Sequence, residues 1–295
     1  MGNKIGVHYA FIGQEWDVDM SERLKWAHEV GFDNLEVTPP AYMVELNKDK
    51  MTNLRKQAED LGMDLTFCIG FPKSKDMSSP DAKIRREGIE WSKKMIEAIH
   101  FMGGKVLSGI LYSSWPYLYD HMITPSDKQE AWEYGVQSVK EVVKVAQDND
   151  ILYAVEMVNR FEQFIVNSVD EGIQFARDVD SPNIKLLLDV FHANIEEDNI
   201  ADSIRKAGPL LAHMHLSENN RKLPGTGNHI PWKEVAQATK DINFKGRYVI
   251  ESFLAQGGPV GNDLRIWRDL SDDLSLEGRT KSIKESLNFV RKTFK

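Results

Sequence analysis

The chain has 295 residues, 41% apolar and 28% charged, with a formal net charge of −8. This is the balance of a soluble globular protein with a substantial core, and its acidic excess argues against nucleic acid or an anionic membrane as a partner, since both call for a basic surface. No run approaches the roughly 18 apolar residues of a transmembrane helix, the N-terminal MGNKIGVHYAF lacks the apolar core of a secretory signal, and Cys68 is the single cysteine, which together predict a cytoplasmic protein without an intramolecular disulfide.

In chain order, strand-like runs fall near 4–9, 33–38, 63–70, 105–111, 151–158, 184–190, 210–217 and 247–253. Helix-like runs alternate with them near 21–30, 47–61, 81–102, 127–149, 169–178, 199–207, 231–242 and 280–293. Helix starts read as capped at Ser21, at Ser79-Pro80-Asp81 and at Ser126-Asp127. The third strand run, DLTFCIGF, places Cys68 as a small core residue. Eight alternations with no Gly/Ser- or Pro-rich linker predict one (β/α)8 barrel domain over residues 1–295. Two connections exceed what a barrel needs: the aromatic stretch SSWPYLYDHMITP (113–125) and the segment 255–279. Each reads as an active-site lid or as a patch facing another subunit.

The last four strand runs share a feature. ILYAVEMV carries Glu156, IKLLLDVF carries Asp189, LLAHMHLS carries His215 and RYVIESFL carries Glu251, at intervals of 33, 26 and 36 residues. Each interval is about one strand–helix unit, so all four groups fall at the same end of a parallel barrel and converge. Buried carboxylates need a counter-charge, and a divalent cation is the economical partner for two Glu, one Asp and one His. Three carboxylates with one imidazole suit Mn2+, Mg2+ or Co2+ better than a closed structural zinc site. Six-coordination would leave about two positions for substrate oxygens. Further polar groups cluster nearby: Asn159, Arg160 and Glu162 after strand 5, His192 after Asp189, and Arg221 after His215. His213 shares a strand face with His215, as hydrogen-bonding support or as barrel filling. Arg160 reads equally well as a surface charge.

Together, EMVNRFE (156–162), LDVFHANIEED (188–198), HMHLSENNR (213–221) and GGPVGNDLRIWRD (257–269) resemble the ketose 3-epimerase family, the D-tagatose and D-allulose (D-psicose) 3-epimerases. Weaker matches lie at CIG (68–70), SSP (78–80) and YSSWP (112–116), so the resemblance covers almost the whole chain. It implies a (β/α)8 TIM barrel of the xylose-isomerase-like type, assembled as a homodimer or homotetramer. One divalent metal ion per subunit is implied, Mn2+ first and Co2+ or Mg2+ as alternatives. Residue by residue, it carries metal binding to Glu156, Asp189, His215 and Glu251, and acid/base work to Glu156 and Glu251. It carries substrate binding to Glu162, His192 and Arg221, which hold the oxygens at the reacting end of the sugar, and also to His8, Ile110 and Trp115.

The implied reaction inverts carbon 3 of a free ketose such as D-tagatose, D-allulose or D-fructose. The neighbouring carbonyl acidifies the carbon-3 proton; one glutamate removes it, giving an enediolate, and the other returns a proton to the opposite face. An aldose–ketose isomerase on the same barrel and metal site is the alternative. The chain departs from the family pattern at His8, where an aromatic residue is common, and at Ser252, where proline is common. Ile110 and Ser114 line the expected pocket, where smaller or aromatic residues are also known, and with His8 and Ser252 they would face the far end of the sugar. These departures leave the reaction class intact and put the preferred ketose in question.

Overall fold

A computed structural model describes residues 3–117 and 121–295; Leu118, Tyr119 and Asp120 of the aromatic connection lie outside the described residues. Its strands are β1 (Ile5–His8), β2 (Asn34–Val37), β3 (Asp64–Phe71), β4 (Val106–Ser114), β5 (Leu152–Met157), β6 (Ile184–Asp189), β7 (Leu211–Leu216) and β8 (Arg247–Ile250). They pair in parallel in chain order and β8 closes onto β1, giving the expected (β/α)8 barrel. Parallel strands covered on both faces read as near-continuous apolar runs, and nearly every strand residue here is buried. The register sets His8 beside Glu36 and Asp189 beside His215.

The outer helices bury one stripe each. Pro125–Asp148 turns Val136, Val139, Val142, Val143 and Ala146 toward the barrel, the face its apolar spacing predicts. Two caps differ from expectation. Asp19, not Ser21, caps Met20–Val30, and Thr124 with Asp127 forms a capping box at Pro125–Asp148 in place of Ser126. In both, the helix starts slightly before its apolar stripe, so the residue with extended backbone and a free side-chain oxygen lies earlier. Asp81 caps Ala82–Phe101 as expected.

The long segment after β8 is not a bare loop. It contains the helix Gly258–Asp263, and the final helix begins at Leu276 rather than near 280. Trp16 Nε1 donates to Asp263 Oδ2 at 2.9 Å, drawing this segment over the end of β1. A short helix, Val190–Glu196, follows β6 directly, with Asp189 as its cap accepting from the Phe191 N–H. Among the described residues no helix is long and apolar enough to cross a membrane.

Close approach of β3 and β4 depends on Gly109. Its φ is +114°, and a Cβ there would sit 2.2 Å from the Ile69 carbonyl oxygen, a backbone atom that cannot yield. Gly109→Ala is expected to cost about 3 kcal/mol or more and to lower Tm by roughly 6 °C or more. Thermal unfolding of the two proteins checks this, and an unchanged Tm would refute the close-approach argument.

Candidate active site

At the C-terminal mouth of the barrel a cavity of about 240 Å³ opens between β1 and the loops after β4, β5, β7 and β8. Glu156, His192, Arg221 and Glu251 line its base, and Glu162 stands beside them. His8, Ile110 and Trp115 line its walls, as expected from the sequence. Asp189 and His215 stand behind this surface, 1% and 0% exposed. The two long connections also reach the cavity, through Trp115 and Pro116 on one side and Asp263 and Leu264 on the other.

The base is crowded with charge. Arg221 Nη1 lies 2.6 Å from Asp189 Oδ2 and 2.8 Å from Glu251 Oε2, so one buried guanidinium answers two buried carboxylates. Its guanidinium carbon lies 3.9 Å from the Phe191 ring centroid, a cation–π contact that also fixes the head group. His215 Nδ1 lies 3.3 Å from Glu251 Oε1 and 3.8 Å from Glu156 Oε1. His192 Nε2 lies 3.6 Å from Asp189 Oδ2 and 3.8 Å from Glu156 Oε1. All four residues singled out by their strand-end spacing therefore meet around one point.

The environment sets the two glutamates apart. Burial pushes the Glu156 carboxyl well above its ordinary range, and the nearby charges of Glu251 and Asp189 add to that against the pull of His215 and Arg221. Burial acts the same way on Glu251, but the charges of His215 and Arg221 overcome it and hold that carboxyl below its ordinary range. The two carboxyls of one site are thus set to opposite proton affinities by their surroundings.

The smaller polar groups are held in place as well. The Asn159 backbone N–H donates to His192 Nδ1 at 3.2 Å, which leaves the proton of the neutral ring on Nε2, facing the base of the cavity. Burial lowers the pKa of His192 and favours that neutral form. Glu162 accepts from Trp115 Nε1 at 2.8 Å and from Asn159 Nδ2 at 3.0 Å. Burial raises the Glu162 carboxyl, yet His192, Arg221 and these two donors bring it below the ordinary value.

Some expected residues stand elsewhere. Ser114 is absent from the cavity wall: its hydroxyl turns away to donate to Asp76 Oδ2. Ser252 likewise donates to the Lys222 carbonyl. Arg160 pairs with Glu196 at the surface. Cys68 is buried in the core beside Ala154 and Leu187, as expected, and also lines the cavity.

The residue missed altogether is Glu36 on β2, fully buried. His215 Nε2 donates to its Oε1 at 2.6 Å. His213 Nε2 stands 2.7 Å from its Oε2, off the line of a hydrogen bond, and Thr66 donates to the same oxygen at 3.0 Å. Burial raises this carboxyl, but His213 and His215 hold it well below its ordinary range, so it is an anion. Its acceptance of the Nε2–H directs the Nδ1 lone pair of neutral His215 toward Glu156 and Glu251. That atom is buried with no hydrogen-bond partner. A lone pair facing carboxylates calls for a proton or a cation, and in a protein-only site Glu251 and Glu36 pull His215 well above its ordinary pKa despite burial. The triads Asp189–His215–Glu251 and Glu156–Asp189–His192 each bring three donor atoms within 4.8 Å of one another. An oxygen-rich donor set, an unpartnered imidazole nitrogen and excess negative charge fit a hard divalent cation.

The chain is similar to known proteins along almost its whole length. Residues 24–293 match the family model of the xylose isomerase-like TIM barrel. A D-psicose 3-epimerase of Enterocloster bolteae is 37% identical over 294 residues, which are 99% of this chain and 96% of that protein. A crystal structure of a D-psicose 3-epimerase in the presence of D-fructose superposes with a TM-score of 0.95, at 34% identity and 99% coverage of both chains. The D-psicose 3-epimerase of Clostridium cellulolyticum H10 with D-tagatose gives a TM-score of 0.93, at 35% identity and 99% coverage of both.

The hold of Glu36 on His215 is open to measurement. Glu36→Gln is expected to weaken divalent-cation binding about 10–100-fold, the usual loss when a ligand histidine's carboxylate partner is removed. Calorimetric titration of metal-free protein with Mn2+ reads this, and circular dichroism checks that the variant folds. Equal affinities in the two proteins would remove Glu36 from the site.

Proposed function

The chain belongs to the xylose isomerase-like TIM-barrel family and, within it, to the ketose 3-epimerases; from that premise we propose that it inverts carbon 3 of a free ketohexose through an enediolate, with Glu156 and Glu251 moving the proton. The observation that carries this reading is the pair of buried carboxylates near His215 Nδ1, at 3.8 and 3.3 Å, with opposed proton affinities, at the base of a cavity of about 240 Å³.

Glu156, Asp189, His215 and Glu251 would hold one divalent ion, Mn2+ first with Co2+ or Mg2+ as alternatives, which when bound supplies Lewis-acid stabilisation of negative charge on adjacent sugar oxygens. The remaining steps belong to the chain's own groups. One glutamate takes the carbon-3 proton from its side of the sugar, and the other returns a proton from the opposite side. His192, with its proton on Nε2, and Arg221 donate hydrogen bonds toward the oxygens on which charge develops. Glu162, an anion fixed by Trp115 and Asn159, accepts from a sugar hydroxyl. Trp115, Ile110, Phe253 and His8 present the walls that keep water from the reacting carbons.

The wall composition favours a free sugar over a sugar phosphate. Arg221 is the one Lys or Arg side chain among the described residues lining the cavity, and Asp189 and Glu251 already engage it. The relatives were crystallised with D-fructose and D-tagatose, and D-psicose, D-fructose and D-tagatose are the substrates we assign. A cytoplasmic enzyme assembled as a homodimer or homotetramer completes the proposal, and light scattering at defined concentration measures the assembly.

In deuterated water, the Mn2+-loaded protein is expected to place deuterium at carbon 3 of the ketose pool; label at carbon 1 alone would identify an aldose–ketose isomerase instead. Glu156→Gln and Glu251→Gln should each lower kcat by about 10²–10⁴-fold, and near-normal turnover in either would remove it from the proton path. Mn2+ at about 100 times its Kd should stabilise the chelator-treated protein by about 2.7 kcal/mol. A thermal shift series checks that value, and a Tm indifferent to Mn2+ would refute the metal centre.

A further inference from the structure

Cys68 is the single cysteine of the chain, and it faces the candidate metal centre from the β3 side. Its Sγ, a Glu156 oxygen and a His215 nitrogen all lie within 4.8 Å of one another. Asp189, His215 and Glu251 satisfy the same condition. His215 belongs to both triads, and its Nδ1 is buried with no hydrogen-bond partner. The imidazole therefore stands between a wholly oxygen-bearing side, toward β6 and β8, and a side toward β3 where sulphur takes the place of one oxygen. Cys68 also lines the cavity, as a buried residue 7% exposed.

Ligand softness distinguishes these two sides. Carboxylates suit Mn2+ and Mg2+, whereas a thiolate with an imidazole suits Zn2+ and its heavier thiophilic relatives. We propose that Cys68, His215 and Glu156 form a binding site for a thiophilic divalent cation, Zn2+ or Cd2+, that overlaps the sugar cavity and excludes the ketose when filled. The inference rests on the reading of Glu156, Asp189, His215 and Glu251 as a metal centre and adds a ligand of different chemistry to it. Bonds of about 2.3 Å to sulphur and about 2.0–2.1 Å to nitrogen and oxygen let one ion reach all three atoms with small side-chain movements. As the sulphur–cation bond forms, the S–H bond breaks and its proton leaves through the cavity mouth to solvent. No electron is transferred and the cation keeps its charge. An ion drawn to Cys68 lies on the cavity wall, where sugar oxygens would otherwise approach.

Because the chain has one cysteine, any thiolate–metal signal can come from Cys68 alone. The test titrates Cd2+ and Mn2+ into the metal-free full chain and into Cys68→Ser and Cys68→Ala, followed by ultraviolet charge-transfer absorption and by calorimetry in two buffers of different ionisation enthalpy. Unaltered protein should show a thiolate-to-cadmium band and should release about one more proton with Cd2+ than with Mn2+. Both variants should lose the band and the extra proton, and their Cd2+-to-Mn2+ affinity ratio should fall about tenfold or more. Tight Cd2+ binding without the band or the extra proton would overturn the Cys68 site and leave the metal centre standing. Binding of neither cation would overturn the metal centre itself and the Cys68 site with it.

Discussion

Three carboxylates buried at one end of a barrel repel one another, and the surrounding structure is organised to answer that repulsion. Glu156, Asp189 and Glu251 are 4%, 1% and 9% exposed. At an effective dielectric near 20, unit charges about 4 Å apart interact by roughly 4 kcal/mol, comparable to a large part of a domain's net stability. Arg221 is the permanent part of the answer. It reaches Asp189 and Glu251 at once, rests on Phe191, and is carried by a backbone at φ +66°. Hydrogen bonds from its own N–H to the Glu218 carbonyl and from the Phe253 N–H to its carbonyl hold that unusual conformation. Among the described residues Glu156 has no hydrogen-bonded guanidinium, and burial outweighs the pull of His215 and Arg221 on it.

The barrel and the four converging donors were legible in the sequence because both are periodic. Strand–helix alternation repeats along the chain, and a donor at a strand end inherits the barrel's convergence without any knowledge of packing. Helix caps were less legible, because Asp19 and Thr124 act through backbone geometry one or two positions before the amphipathic stripe begins. Glu36 was not legible at all. A lone glutamate in NLEV looks like any strand carboxylate, and its meaning depends on a histidine 179 residues away in sequence. The core place of Cys68 was legible but its second face was not: alternation says which side of a strand a residue takes, and the interior of a barrel holds both packed core and cavity. Ser114 and Ser252 were misplaced because a hydroxyl adjacent to a pocket residue can turn to the nearest carboxylate or carbonyl instead.

The two halves of the barrel contribute different things. From β5 through the end of β8 come the groups that hold or move charge: Glu156, Asp189, His215, Arg221 and Glu251. From β1 through the loop after β4 come groups that orient and enclose: Glu36 behind His215, and His8, Cys68, Ile110 and Trp115 around the cavity. Variation in the first half is therefore free to reshape the cavity while the charged constellation stays intact. The departures at His8 and Ile110 fall on that side, and they follow the same division.

The contact between Trp16 and Asp263 joins positions 247 residues apart and brings the start of the chain under a segment near its end. During synthesis from the N-terminus, a chain that has reached only β7 holds Glu156, Asp189 and His215, but it has neither the eighth strand that closes the sheet nor the roof over the cavity. Completion of the site thus waits on long-range docking late in the chain. A ribosome-bound intermediate carries a partial, solvent-open constellation, and turnover becomes a reporter of barrel closure itself.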